Sequence, residues 1–171
     1  MLQVPNTLEE VAGTVDVSVG ELIRTLLVEG VIGGTVVVVI AFLLSRFTRE
    51  IYGRAFLAML LFAAAGAYFG FAALAGAGPI WSLVELVGVF IFGSMALLGL
   101  RDSAWWLAVG WALHPLWDVV LHLIGPGGSF ASQPYAVVCI TFDWVVAAYI
   151  AIFYGFGLLG VASRRRDTTP S

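Results

Sequence analysis

Five apolar stretches, each long enough to cross a bilayer, fill most of this chain: residues 26–45, 55–77, 80–100, 104–124 and 135–161. About 20 residues of helix span a hydrocarbon core. Helix is the structure open to such segments, because in lipid every backbone N–H and C=O must find its partner within the segment itself. Composition agrees: 61% of residues are hydrophobic and 11% are charged, against about 25% charged in soluble domains. A water-soluble fold of this length has too little interior to hide that much apolar surface. The expected fold is all-α, a five-helix transmembrane bundle in one domain. It has an extracytoplasmic segment over residues 1–25, a bundle over 26–161 and a cytoplasmic tail over 162–171. Its expected location is the cell membrane, as a multi-pass protein.

The arginines set an orientation. All eight basic residues are Arg. Arg46, Arg49 and Arg54 fall between the first two spans, Arg101 between the third and fourth, and Arg164, Arg165 and Arg166 after the fifth. In a five-span topology these segments share one side, and cytoplasmic loops carry the excess of positive charge. The opposite side holds an acidic N-terminal segment and two loops without charge, 75–79 and 125–134. The expectation is N-terminus outside and C-terminus in the cytoplasm. Trp81 and Tyr135 near outer ends, with Tyr52, Trp105 and Trp106 near inner ends, fit interfacial aromatic belts. No cleavable signal is expected, since the N-terminal residues lack a positive region and a short apolar core. Ser18-x-x-Glu21 is either a capping box opening a short amphipathic helix over 19–28 or the interior of a longer first helix. Gly30-x-x-x-Gly34 and Gly66-x-x-x-Gly70 can bring helices close together. Net charge is −3, so no basic face suggests nucleic acid. The lipid bilayer is the expected partner, with a homo-oligomer left open. The single Cys139 rules out an internal disulfide.

Five ionisable side chains lie inside the expected spans: Glu85 on the third, His114, Asp118 and His122 on the fourth, and Asp143 on the fifth. Such groups are costly in hydrocarbon and mark functional sites. His114, Asp118 and His122 recur every four residues, and each step turns the direction by about 40°, so all three leave from one stripe. Cys139 and Asp143 share a stripe by the same arithmetic. At a rise of about 1.5 Å per residue, Asp118 lies roughly 10 Å, Asp143 roughly 12 Å and Glu85 roughly 8 Å below the outer helix ends. Three helices thus deliver polar groups to one layer. That layer holds three carboxylates and two imidazoles, with neither Lys nor Arg. Carboxylates crowded away from water need protons or a cation among them. Imidazole with carboxylate is ordinary ligation for zinc or iron. Pro115, directly after His114, frees the carbonyl of Trp111 and can kink the helix. Trp111, Trp117 and Trp144 are expected to form the wall. Cys139 is expected as a small packing residue, with a role as ligand or nucleophile left open.

The run Gly110-Trp111-x-Leu113-His114-x-x-Trp117-Asp118-x-x-x-His122, followed by Cys139-x-x-x-Asp143, is similar to a family of small bacterial integral membrane proteins of unknown function. The likeness extends over residues 63–148. It implies a membrane location and supplies no activity, so function rests on the chemistry of the residues.

Three functions compete. In a metal-dependent membrane enzyme, His114, Asp118 and His122 bind zinc or iron, and Asp143 is a fourth ligand or a base. Glu85 is then the general acid/base, and the substrate is a small lipid-phase molecule such as a lipid or isoprenoid, hydrolysed or oxidised. A transporter or proton relay would need polar groups on both sides of the site, and the inner half offers Ser45, Ser94, Tyr149 and Tyr154. A structural or accessory subunit would use the cluster as interhelical glue.

Overall fold

The computed structural model describes residues 8–158, with side chains from residue 18 onward. Helix α1 runs Leu8–Phe47, α2 Glu50–Leu74, α3 Pro79–Arg101, α4 Ala104–Asp118 and α5 Gln133–Tyr149. Both α4 and α5 continue as wider π-helical turns, Val119–Ile124 and Ile150–Gly155. Five helices are long and apolar enough to cross a membrane, and the chain is a multi-pass, all-α membrane protein. The arginines at 164–166 lie outside the described residues.

Local chemistry sets the helix boundaries. Gly76 and Gly78 take positive φ, 62° and 90°, and turn the chain between α2 and α3, where a Cβ would be strained. Pro79 then opens α3, a position that needs no backbone N–H. Ser103 caps α4 by accepting from the Trp105 N–H at 3.3 Å, and Ser132 caps α5 by accepting from the Tyr135 N–H at 3.5 Å. Helix α1 is longer than the 26–45 span. No proline interrupts residues 8–47, and Ser18-x-x-Glu21 sits inside one continuous helix instead of opening a separate one.

Each helix packs on the next in sequence, and α5 returns to α1, closing a ring. The α1–α5 seam is built on glycine. A Cβ on Gly30 would run into Thr141 Oγ1 and the Val138 carbonyl, and one on Gly34 would sit 2.9 Å from the Phe142 carbonyl. Thr141 Oγ1 donates to the Leu27 carbonyl at 2.6 Å across the same seam. The first Gly-x-x-x-Gly motif is therefore an intrachain contact. Gly66 and Gly70 have nothing within 4 Å of an added Cβ.

The half of the bundle nearer the α1–α2 and α3–α4 connections is filled by Leu57, Leu61, Leu107, Trp111, Val146 and Ile150, all fully buried. Trp111 Nε1 donates to the Leu57 carbonyl at 3.3 Å, satisfying the one polar atom of that side chain. Below this plug, Tyr149 donates to Tyr154 at 3.2 Å, and the Tyr154 hydroxyl meets Ser45 Oγ at 2.7 Å. Arg54, which donates to the Gly99 carbonyl, pairs with Glu50 at 3.5 Å. The polar groups at this end thus form their own short chain, separated from the opposite half of the bundle by apolar side chains.

Candidate metal centre

The five ionisable side chains that the sequence places within α3, α4 and α5 and their continuations point into the ring. Glu85, His114, Asp118, His122 and Asp143 are at most 1% exposed. Each faces inward because the neighbouring positions on its helix are apolar and lipid-exposed, as with Leu83 and Leu86 beside Glu85 or Leu113 and Leu116 around His114.

The five groups form two tiers. In the deeper tier, His114 Nδ1 lies 2.9 Å from Asp143 Oδ2 and 3.6 Å from Asp118 Oδ2. One ligand atom from each of His114, Asp118 and Asp143 falls within 4.8 Å of the others. A tetrahedral ion with bonds near 2.0–2.1 Å separates its ligand atoms by about 3.3 Å, and the two measured nitrogen–oxygen distances bracket that spacing. This buried cluster is able to coordinate a metal ion. In the shallower tier, His122 Nε2 donates to Glu85 Oε1 at 3.1 Å.

His122 was expected in the same ligand set as His114 and Asp118. The structure brings His114, Asp118 and Asp143 together and pairs His122 with Glu85. A shared stripe sets direction, while the rise along the helix separates the two imidazoles. Eight residues of helix rise about 12 Å, more than one ion with bonds of about 2 Å can bridge. The chain also changes helical type after Asp118, where a wider π-helical stretch runs over Val119–Ile124. Such wide turns recur at functional sites.

Tyr68 of α2 joins the tiers. Its ring stacks on His122 with centroids 3.9 Å apart and planes 6° from parallel. Its hydroxyl neighbours the Asp118 carboxylate, outside ordinary hydrogen-bond geometry. No motif marked Tyr68. A depth count would have found it: six residues before the end of α2, it lies about 9 Å deep, level with Glu85. Tyr135, read as a belt residue, instead turns inward and meets Tyr68 edge-on at 5.6 Å. Phe92 of α3 presents an edge to His114 at 4.9 Å. Trp111 and Trp117 line the interior, and the Trp117 ring fits against Gly88, where a Cβ would approach it to 3.0 Å. Trp144 lies on the outer face instead, its Nε1 donating to the Ala112 carbonyl at 3.3 Å. Cys139 is buried beside Tyr135, Asp118 and Asp143 and is not part of the three-residue cluster.

The distribution of hydrogen bonds is uneven. Both oxygens of Asp118, Asp143 Oδ1, His114 Nε2, His122 Nδ1 and the Tyr68 hydroxyl are buried without a protein partner. Buried polar atoms are nearly always paired, and a concentration of unpaired ones marks water or an ion. Two facing carboxylates, with no Arg or Lys among the described residues of the cluster, supply the negative charge that a cation neutralises.

No curated protein and no solved structure matches this chain. Residues 29–156, which include every residue of both tiers, match a family of unknown function (DUF6010), and the chain belongs to that family.

Proposed function

We propose that this protein is a membrane-embedded metalloenzyme acting on a lipid-phase substrate. His114, Asp118 and Asp143 hold a divalent metal, zinc or iron. The observation that carries this reading is the Asp118 carboxylate, fully buried with neither oxygen hydrogen-bonded, beside a second carboxylate and an imidazole. Leaving such a group unpaired costs several kcal/mol in a low-dielectric interior, and a bound dication removes that cost.

Three protein ligands leave a coordination position for water or substrate. The metal would polarise a carbonyl or phosphoryl oxygen, or supply a bound hydroxide, and hydrolysis is the reaction class we favour. The His122–Glu85 pair is the acid/base element, with Tyr68 bridging it to the metal tier. Asp143 serves as a ligand beside His114, whose Nδ1 would give its lone pair to the metal in place of the hydrogen bond to Asp143. The arginine distribution supports an orientation with the N-terminus outside, and the site would then lie in the outward leaflet. Transport through the bundle is disfavoured by the plug of fully buried side chains at Leu57, Leu107, Val146 and Ile150.

Lipid profiles test the reading. Cells producing the wild-type protein are compared by mass spectrometry with cells producing Asp118→Asn or Glu85→Gln at matched membrane levels. The expected outcome is one lipid class that accumulates with both variants and is consumed with the wild type. Identical profiles in all three would refute the enzymatic reading.

A further inference from the structure

The metal tier is closed to water at both ends of the bundle. On the outer side, the loop after α4 folds back over His122. A Cβ on Gly127 would sit 2.9 Å from His122 Cδ2, and Phe130 covers the same ring edge-on at 6.0 Å while also packing against Trp81 at 5.2 Å. On the inner side lies the apolar plug. A substrate arriving along the bundle axis meets packed side chains from either direction.

On the flank the packing is open. Helix α1 follows α5 closely at Gly30 and Gly34 and meets α2 near its inner end, where Gly53 faces Ala41, Ser45 and Tyr154. Helices α2 and α5 make no extended contact with each other. Between them lies a cleft of about 230 Å³ lined by Leu60, Ala63 and Ala64 of α2, Trp111 of α4, and Tyr135 and Phe142 of α5. Its lining is continuous with the site. Tyr135 contacts Tyr68 and neighbours Asp118, Asp143 and Cys139. Phe142 directly precedes Asp143, and Trp111 is one turn from His114.

We infer that this cleft is a lateral portal from the bilayer. Through it, a molecule with a single aliphatic chain presents an oxygen-bearing end to the metal tier, with Tyr135 as the gate. Three observations choose the occupant. The lining side chains are apolar except for the Tyr135 hydroxyl and the Trp111 N–H, which already donates to the Leu57 carbonyl, so a sugar or phosphate would lie there with most of its polar atoms unpaired. The volume is below the roughly 300–1,000 Å³ of pockets that enclose drug-sized ligands, which suits one narrow chain and not a two-chain glycerolipid. Ala63 and Ala64 are small where a larger apolar residue would close the gap. The inference rests on the metal reading for the destination of the polar end, but the portal itself can be tested apart from it.

The test uses the full chain in phosphatidylcholine vesicles and a long-chain alcohol carrying a diazirine in its chain. After photolysis, labelled peptides are mapped by mass spectrometry, with and without excess unlabelled alcohol, and metal content is measured on the same samples. The expected result is labelling on the peptides of Trp111, Tyr135 and Phe142 that the competitor removes. That competed labelling is lost in Ala64→Phe and in Ala63→Trp, while metal content and melting temperature stay at wild-type values. The pair guards against one variant misfolding. Labelling that the competitor does not reduce, or that persists in both folded variants, overturns the portal, as does equal labelling by a charged, water-soluble diazirine. A metal-free protein with competed labelling would remove the metal reading and keep the portal. A metal-loaded protein without competed labelling would do the reverse.

Discussion

The imidazole of His122 lies flat on the ring of Tyr68, 3.9 Å between centroids, so α2 contributes to a site whose ionisable groups all come from α3, α4 and α5. The stack fixes the plane of His122 and thereby aims its Nε2 at Glu85. Tyr68→Phe keeps the ring and removes a hydroxyl that has no hydrogen-bond partner. Stability should change by less than about 1 kcal/mol. Tyr68→Ala empties a fully buried site and should cost about 3–5 kcal/mol. Thermal unfolding in detergent distinguishes the two.

Glu85 and His122 depend on each other. Glu85→Leu leaves both nitrogens of a buried imidazole without partners and should destabilise the protein by about 1–3 kcal/mol. Combining it with His122→Phe should recover most of that loss, because an apolar pair replaces the polar one. A double-mutant cycle on unfolding measures the coupling, and simple additivity would mean that the 3.1 Å contact contributes nothing.

The two Gly-x-x-x-Gly motifs should respond in opposite ways. At Gly30 an added methyl collides with the Val138 carbonyl of α5, and backbone cannot move aside cheaply. Gly30→Ala should cost about 1–3 kcal/mol by forcing the α1–α5 seam apart. Gly66→Ala meets nothing within 4 Å and should leave stability unchanged or raise it slightly, since Ala is the better helix former by about 0.5–1 kcal/mol. Melting temperatures of the two variants, measured side by side, check this.

Metal removal should loosen the bundle. A ligand at 100 times its dissociation constant stabilises the folded state by about 2.7 kcal/mol, which for a chain of this size is a shift of roughly 5–10 °C. Treatment with a chelator should lower the melting temperature by that order, and adding zinc or ferrous iron should restore it. His114→Ala should melt at the same temperature with and without chelator.

The architecture was legible in the sequence because membrane crossing leaves few choices. Length and hydropathy found all five spans, and proline, glycine and serine marked most of their ends. At α1 the capping pattern left a separate short helix and a longer first helix equally open, and the uninterrupted residues 8–47 form the longer one. The inward direction of Glu85, His114, Asp118 and Asp143 was legible from spacing and depth. The rise of about 1.5 Å per residue also separates His114 from His122, but which carboxylate each imidazole meets was not legible, because it depends on how neighbouring helices pack and on a π-helical turn at Val119 that has no marker beyond Pro115. The roles of Tyr68 and Tyr135 were hidden for a different reason. An aromatic residue in a membrane helix reads as belt or lipid-facing filler until neighbouring helices show which way it points. The loop over residues 125–130 looked like a plain connector, yet its small residues are what let it lie on His122.

The most direct measurement is the metal content of detergent-purified protein by elemental analysis, run on the wild type, His114→Ala, Asp143→Asn, Glu85→Gln and His122→Phe. The expected result is stoichiometric divalent metal in the wild type and in both upper-tier variants, and a loss of it in His114→Ala and Asp143→Asn while the proteins remain folded. A wild-type protein free of metal after growth with zinc and iron supplied, or metal retained equally by all five proteins, would contradict a centre built on His114, Asp118 and Asp143.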